Sequence, residues 1–366
     1  MVATAALLIV PLVCAAAIVF FLFRHWLLMA LIMLAPLPGL FVYFAASLRW
    51  DFPSPNAAAY YFAYLFGVVA AGLIADEFVL ARAGGESGHD ALKSTRWRQL
   101  DVLAASGAVT AFTLSRFGAH IDFLWASVTE ALAIGLSLLS VASVLQLAQF
   151  LPFDEEFIAR TNRFRELAER MVDRLLPIAQ PRWAFAFTGI ALVLATTIAF
   201  RLDTAFLYDW LSTGALRWAL FIGAMAACLI AVTQDWRTAV ASLVTITVVV
   251  FPVFLIGFSV LSLQAPSLFG FCFLLVASVA SQTARYARGG DEMGIATVRT
   301  LTRSTLGIGV LGAALWTAPL LYLTFNFFFI AISGVLGALV LLPAFAVTIE
   351  TLFPHRETLE ARYRVH

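Results

Sequence analysis

The sequence predicts an all-α, polytopic membrane protein with about 11 transmembrane helices in two parallel repeats related by a pseudo-twofold axis. Three observations predict it. Apolar residues make up 62% of the chain and charged residues 12%, with a mean hydropathy of +0.93. That is too little charge to cover the surface of a soluble domain of this length. The apolar residues fall in runs of about 20, the length a helix needs to cross hydrocarbon. A segment that begins at Asp76-Glu77 also returns, without its acids, at Ser281-Gln282.

The predicted spans lie near 3–23, 26–48, 57–81, 99–118, 122–150, 183–200, 215–233, 238–262, 266–284, 304–321 and 324–349. Lys and Arg set their orientation, because cytoplasmic loops retain positive charge. If the first span starts outside, 19 of the 23 basic residues fall on the cytoplasmic side, leaving Arg49, Arg116, Arg201 and Arg217 opposite. This places the chain in a bacterial inner membrane, with the amino terminus periplasmic and the carboxyl terminus cytoplasmic. Met1-Val-Ala-Thr carries no positive charge, unlike the start of a signal peptide. The expectation is an upstream helix that is missing or supplied separately.

The repeat follows from alignment. Asp76-Glu77 through Gly84-Gly85-Glu86 matches Ser281-Gln282 through Gly289-Gly290-Asp291, at an offset of 205 residues. Each copy then passes through a short amphipathic stretch to Arg98 or Arg303. A small-residue helix follows, around Gly107 or Gly312, and then a long apolar helix from near Phe123 or Phe328. The corners at Arg24-His25-Trp26 and Asp235-Trp236-Arg237 also match. Two copies crossing in the same sense indicate a parallel repeat. The predicted organisation is a five-helix repeat over 1–150, a linker over 151–182, a six-helix repeat over 183–350 and a cytoplasmic tail over 351–366. The linker has apolar residues at helical spacing among many charges, as in Phe153, Phe157, Phe164 and Met171, and reads as an amphipathic helix on the cytoplasmic surface.

The candidate site is the acid pair. An ionisable group within hydrocarbon is costly and marks a cavity, a partner or an ion pathway. Asp76 lies six residues before Arg82, so it has two placements: snorkelling to pair with Arg82, or facing the seam between repeats. The seam is the reading taken, with Ser281, Gln282, Ser304 and Thr305 as polar partners. Glu77 projects about 100° away on the same helix, so the two acids cannot face one partner equally. Asp76, Glu77 and Glu130 are the proton-relay candidates, and Asp101 reads as an interfacial cap. His120 and Asp122 do not make a metal site, and no His/Cys cluster implies a metal or other cofactor. Cys14, Cys228 and Cys272 lie scattered in apolar runs and read as packing residues.

On these residues the chain resembles the membrane part of the resistance–nodulation–division (RND) superfamily, and within it the MmpL-like lipid exporters of hopanoid-transporter type. Phe23-Arg24-His25-Trp26 resembles the family's short Phe-Arg turn. Gly72-Leu-Ile-Ala-Asp76-Glu77 is similar to its Gly-x-x-x-Asp-Tyr, whose acid belongs to the proton relay. Leu341-Leu-Pro343-Ala-Phe is similar to the Leu-Leu-Pro-Ala-Leu closing its last helix. The resemblance implies proton-driven export of a lipidic or hydrophobic small molecule, with membrane lipids, the proton and a periplasmic-domain partner or oligomer as partners. The family has twelve spans and two large periplasmic domains. This chain has neither domain and lacks the first helix. Glu77 stands where the family has tyrosine, and Ser281 or Gln282 where many MmpL-like members have a second acid.

Three function classes are open to such a chain. One is the proton-driven exporter. Another is a non-transporting subunit, a sterol-sensor-like scaffold or an inactive truncated core. The last is a membrane enzyme acting on lipid-linked substrates. That class needs polar catalytic residues and a substantial extracytoplasmic loop, and neither is present, so the expectation is no enzyme. A net charge of +1 gives no basis for nucleic-acid binding.

Overall fold

The computed structural model describes residues 12–13, 15–17, 19–20, 22–50, 57–117, 121–154, 156–157 and 215–246. It also describes Phe273, Leu274, Val276, Ala277, Ala280 and Ser281. The predicted spans at 183–200, 304–321 and 324–349, most of the linker, and Gln282, Ser304 and Thr305 lie outside these residues. So does the superposition of 57–118 on 262–323.

The described regular structure is helical. A helix ending at Phe23 is followed by α1 (Trp26–Leu34), α2 (Leu37–Trp50), α3 (Ala57–Ala83), α4 (Gly88–Ser94), α5 (Arg96–Phe117) and α6 (Ile121–Val144). α6 runs into a 3-10 turn, Leu145–Phe150, and α7 (Ala215–Thr233) and α8 (Trp236–Thr245) follow later in the chain. Among the described residues three stretches are long and apolar enough to cross a membrane: Trp26–Trp50, Ala63–Ala83 and Val128–Phe150. They coincide with the second, third and fifth spans that hydropathy predicts.

α1 and α2 form one span broken at Pro36. Proline has no N–H and cannot complete the helical ladder. Carbonyls near the break need other donors, since hydrocarbon supplies none. The Tyr64 hydroxyl of α3 donates to Met33 O at 2.9 Å, and Ser140 Oγ of α6 donates to Ala35 O at 2.6 Å. A third hydroxyl, Ser137 Oγ, donates to Ala63 O at 2.9 Å. Without a hydrophobic force between helices in lipid, such bonds and close contacts of small residues hold a bundle together.

α3 is the hub. Its apolar stretch is 78% buried, against 39% and 44% for the other two spans, so it is wrapped by protein while its neighbours face outward. α6 packs on α2, α3 and α5, and α5 also packs on α7. Phe273, Leu274, Val276, Ala277 and Ala280 join the same apolar core. α3 stops at the Gly84-Gly85 turn with a Schellman arrangement: Gly85 N donates to Arg82 O at 3.0 Å and Glu86 N to Ala81 O at 3.2 Å. Gly85 takes φ +89° there, a conformation open to glycine at little cost.

The two predicted corners share a local structure. Arg24 has φ 49° and Gln234 φ 51°, both left-handed. Arg24 N donates to Phe20 O at 2.6 Å and Gln234 N to Ile230 O at 2.8 Å, closing the preceding helix each time. The next residue caps the following helix: His25 Nδ1 accepts from Leu28 N at 3.1 Å, and Asp235 Oδ2 from Thr238 N at 3.0 Å. Each new helix opens on an outward tryptophan, Trp26 at 64% and Trp236 at 65% exposure. A left-handed non-glycine residue costs about 1–2 kcal/mol, so finding the same strained turn, cap and tryptophan twice supports duplication of this unit.

Glycine contacts give a stability test. A Cβ on Gly39 would collide with the Leu136 carbonyl oxygen of α6, whereas one on Gly223 meets nothing within 4 Å. Gly39→Ala should lower the detergent-solubilised protein's unfolding temperature by an amount matching about 1–3 kcal/mol of overpacking. Gly223→Ala should leave it unchanged or slightly raised. Thermal unfolding of both variants checks the packing of α2 on α6.

Candidate functional site

The site is built where the inner part of α3 meets the start of α5, taking the arginine-rich end of the bundle as inner. α5 buries one stripe: Arg98, Asp101, Val102, Ala105, Ala108 and Val109. Their spacing is that of a single helical face. The first two positions of this stripe are charged. The small residues beyond them let α5 lie close to its neighbours, which seals the charged pair from the side. Arg98 is 1% exposed, Asp101 1% and Glu77 14%.

Arg98 Nε lies 3.0 Å from Glu77 Oε2 on α3, and its Nη1 lies 3.8 Å from Asp101 Oδ2 one turn along α5. Neither nitrogen makes an aligned hydrogen bond, so these are charge–charge contacts. Such contacts strengthen where water is excluded. Arginine stays protonated at any physiological pH, so its charge is fixed while the carboxyls can gain or lose a proton. The guanidinium is thus shared between a carboxylate on α3 and one on its own helix.

Asp76 is half-buried and its Oδ2 atom is fully buried. The alternative in which it snorkels to Arg82 does not form. Arg82 turns away, with Nη1 donating to Glu86 O at 2.8 Å and its guanidinium 5.7 Å from the Phe153 ring centre. Ser281 is fully buried. Glu130 is not brought to the acid pair. Ser137 marks the level of Ala63, and Glu130 lies outward of it while Glu77 lies inward. At 1.5 Å per residue the two are about 30 Å apart along the helices.

Asp101 corrects the expectation of an interfacial cap, because it is buried and faces Arg98. Arg98 itself was missed as a site residue. Counted as loop charge, it serves the orientation rule, yet its position three residues before Asp101 and in register with Ala105 and Ala108 puts it on the buried face. That register was the available signal, while the pairing with Glu77 was not legible.

The sequence matches no protein-family model and no curated protein. Among solved structures it is similar to the crystal structure of SecDF, a translocon-associated membrane protein from Thermus thermophilus, with a TM-score of 0.59 at 13% identity. The match covers 97% of this chain and 62% of SecDF. Over the matched part the chain shares the fold of that membrane protein. It spans about three fifths of the SecDF chain, and at this identity the likeness establishes the fold alone.

The ion cluster has a direct test. Arg98→Ala removes the cation that Glu77 and Asp101 share, and removing one member of a buried ion pair costs about 3–5 kcal/mol. Arg98→Met combined with Glu77→Met and Asp101→Leu should recover most of that loss, because apolar replacement of a whole buried ion cluster is often neutral. Denaturant unfolding in detergent of the single and triple variants reads the difference. Equal loss in both would rule out the cluster as a stabilising contact.

Proposed function

We propose that this chain is the transmembrane core of a proton-coupled transporter of RND type, resembling the MmpL-like exporters, that moves a lipidic or amphipathic molecule. The observation that supports it best is the buried Glu77–Arg98–Asp101 cluster beside Asp76, set between two helices of an RND-like fold. Proton uptake by the acids of α3 removes the charge that ties α3 to Arg98. The guanidinium is then left to Asp101 on its own helix, and α5 is free to shift against α3. Release of the proton restores the tie. A bundle that alternates between these two arrangements converts proton passage into helix motion, the element that transport requires.

The finer reading places eleven spans in two parallel repeats in a bacterial inner membrane, with the arginine-rich side cytoplasmic. The paired corners at Arg24 and Gln234 support the repeat, and the charge split supports the orientation. A lipidic substrate rests on the family resemblance at Phe23–Trp26, Gly72–Glu77 and Leu341–Phe345. A scaffold or non-transporting subunit is the second reading. It is favoured by the acids standing on one repeat only, with Ser281 and Gln282 opposite.

Reconstitution separates the two. In vesicles carrying a fluorescent phospholipid, a pH gradient should accelerate lipid movement by the wild-type chain. Asp76→Asn should reduce it to the rate of empty vesicles while leaving the unfolding temperature unchanged, since Asn keeps the shape and removes the titratable proton. Wild-type rates in that variant would refute the relay. No gradient-dependent movement by the wild type would favour the scaffold. For topology, an impermeant thiol reagent should label Tyr208→Cys in intact cells and not Phe164→Cys, and the reverse would overturn the orientation.

A further inference from the structure

At the inner end of the bundle the start of the linker is fastened to the first corner by an aromatic cluster. The His25 ring lies 5.2 Å from both Phe153 and Phe157, and those two rings lie 4.9 Å apart. Phe153 also packs 5.7 Å from Phe78, the residue after Glu77 on α3, with Arg82 over its other side. Phe157 is 7% exposed, and its N–H is held by Asp154 Oδ1 at 2.8 Å. One imidazole thus joins three elements: the corner, the linker and the acid-bearing helix.

Both imidazole nitrogens are committed. Nδ1 accepts from Leu28 N at 3.1 Å, so it carries no proton. Nε2 is then the protonated nitrogen and donates to Pro152 O at 3.1 Å. Only the neutral Nε2–H form satisfies both contacts. A second proton would sit on Nδ1 and point at the Leu28 N–H, donor against donor. It would break the helix cap. Among the described residues, the charged groups of the elements packed here are Arg24 beside the ring in sequence, Arg82 against Phe153, and Asp154 and Glu156 on the linker. α1 carries none.

We infer that His25 is a proton-sensitive latch that fastens the linker to the acid-bearing helix when neutral and releases it when protonated. The equivalent cap of the other corner is Asp235, which holds its helix through Thr238 but has no ring to stack. The latch therefore belongs to the half of the molecule that carries the acids. It holds while the ring carries one proton and is lost when the ring takes up a second. The inference stands whether or not the chain transports anything.

Hydrogen exchange read by mass spectrometry tests it on the intact chain in lipid nanodiscs, after correction for the intrinsic pH dependence. Between about pH 8 and about pH 5.5, a range in which histidine is the side chain that changes charge, protection of the Leu28 and 153–157 amides should fall severalfold. His25→Asp keeps a good cap but removes the ring. It should leave Leu28 protected and 153–157 weakly protected at both pH values. Unchanged protection in the wild type would overturn the latch. So would a pH response at 153–157 that survives in His25→Asp, which would assign it to Asp154, Glu156 or another group.

Discussion

One fixed positive charge inside an apolar bundle sets the terms for the inner half of this molecule. Arg98 cannot shed its proton, and its side chain is 1% exposed. An uncompensated charge there would cost several kcal/mol. The fold meets that demand by bringing Glu77 from α3 and Asp101 from one turn away on α5. Both helices must then hold a fixed register with each other, and the small residues of α5 allow the approach that makes it possible. The same interaction joins stability to function, because only its carboxyl members can change charge.

The hub position of α3 gives that interaction its reach. α3 carries the acids, donates Tyr64 to the broken span, receives Ser137 from α6 and turns out of the bundle at Gly84-Gly85. From Leu65 to Ala75 it offers only apolar side chains, all buried. That stretch separates the outer end of the helix from the acids. A change at Glu77 is therefore felt by the inner end of the bundle first, where α5, the turn after α3 and the start of the linker meet.

The two described corners share mechanical parts and differ in chemistry. Those at Arg24 and Gln234 repeat one strained turn with its cap and tryptophan. The cap residue differs, histidine at one corner and aspartate at the other. In the sequence alignment the counterpart of Arg98 is Arg303, while Glu77 aligns with Gln282 and Asp76 with Ser281.

Sequence alone determined the membrane class, the positions of the long apolar helices among the described residues and the paired corners, because these depend on runs, spacing and local backbone chemistry. It also placed Asp76 and Glu77 near one end of a buried helix. The break at Pro36 within the span 26–48 came from the structure. The partner of Glu77 was decided only in three dimensions. Arg98 is 21 residues away along the chain, and a basic residue beside a loop looks alike whether it faces water or a buried acid. The same holds for Arg82, whose separation from Asp76 suits an ion pair on one helix but which turns instead to Glu86 and Phe153. Local periodicity fixes which residues share a face, while the packing of α5 on α3 fixes which charge that face meets. Burial makes that meeting obligatory, and the choice of counter-ion therefore belongs to the tertiary structure.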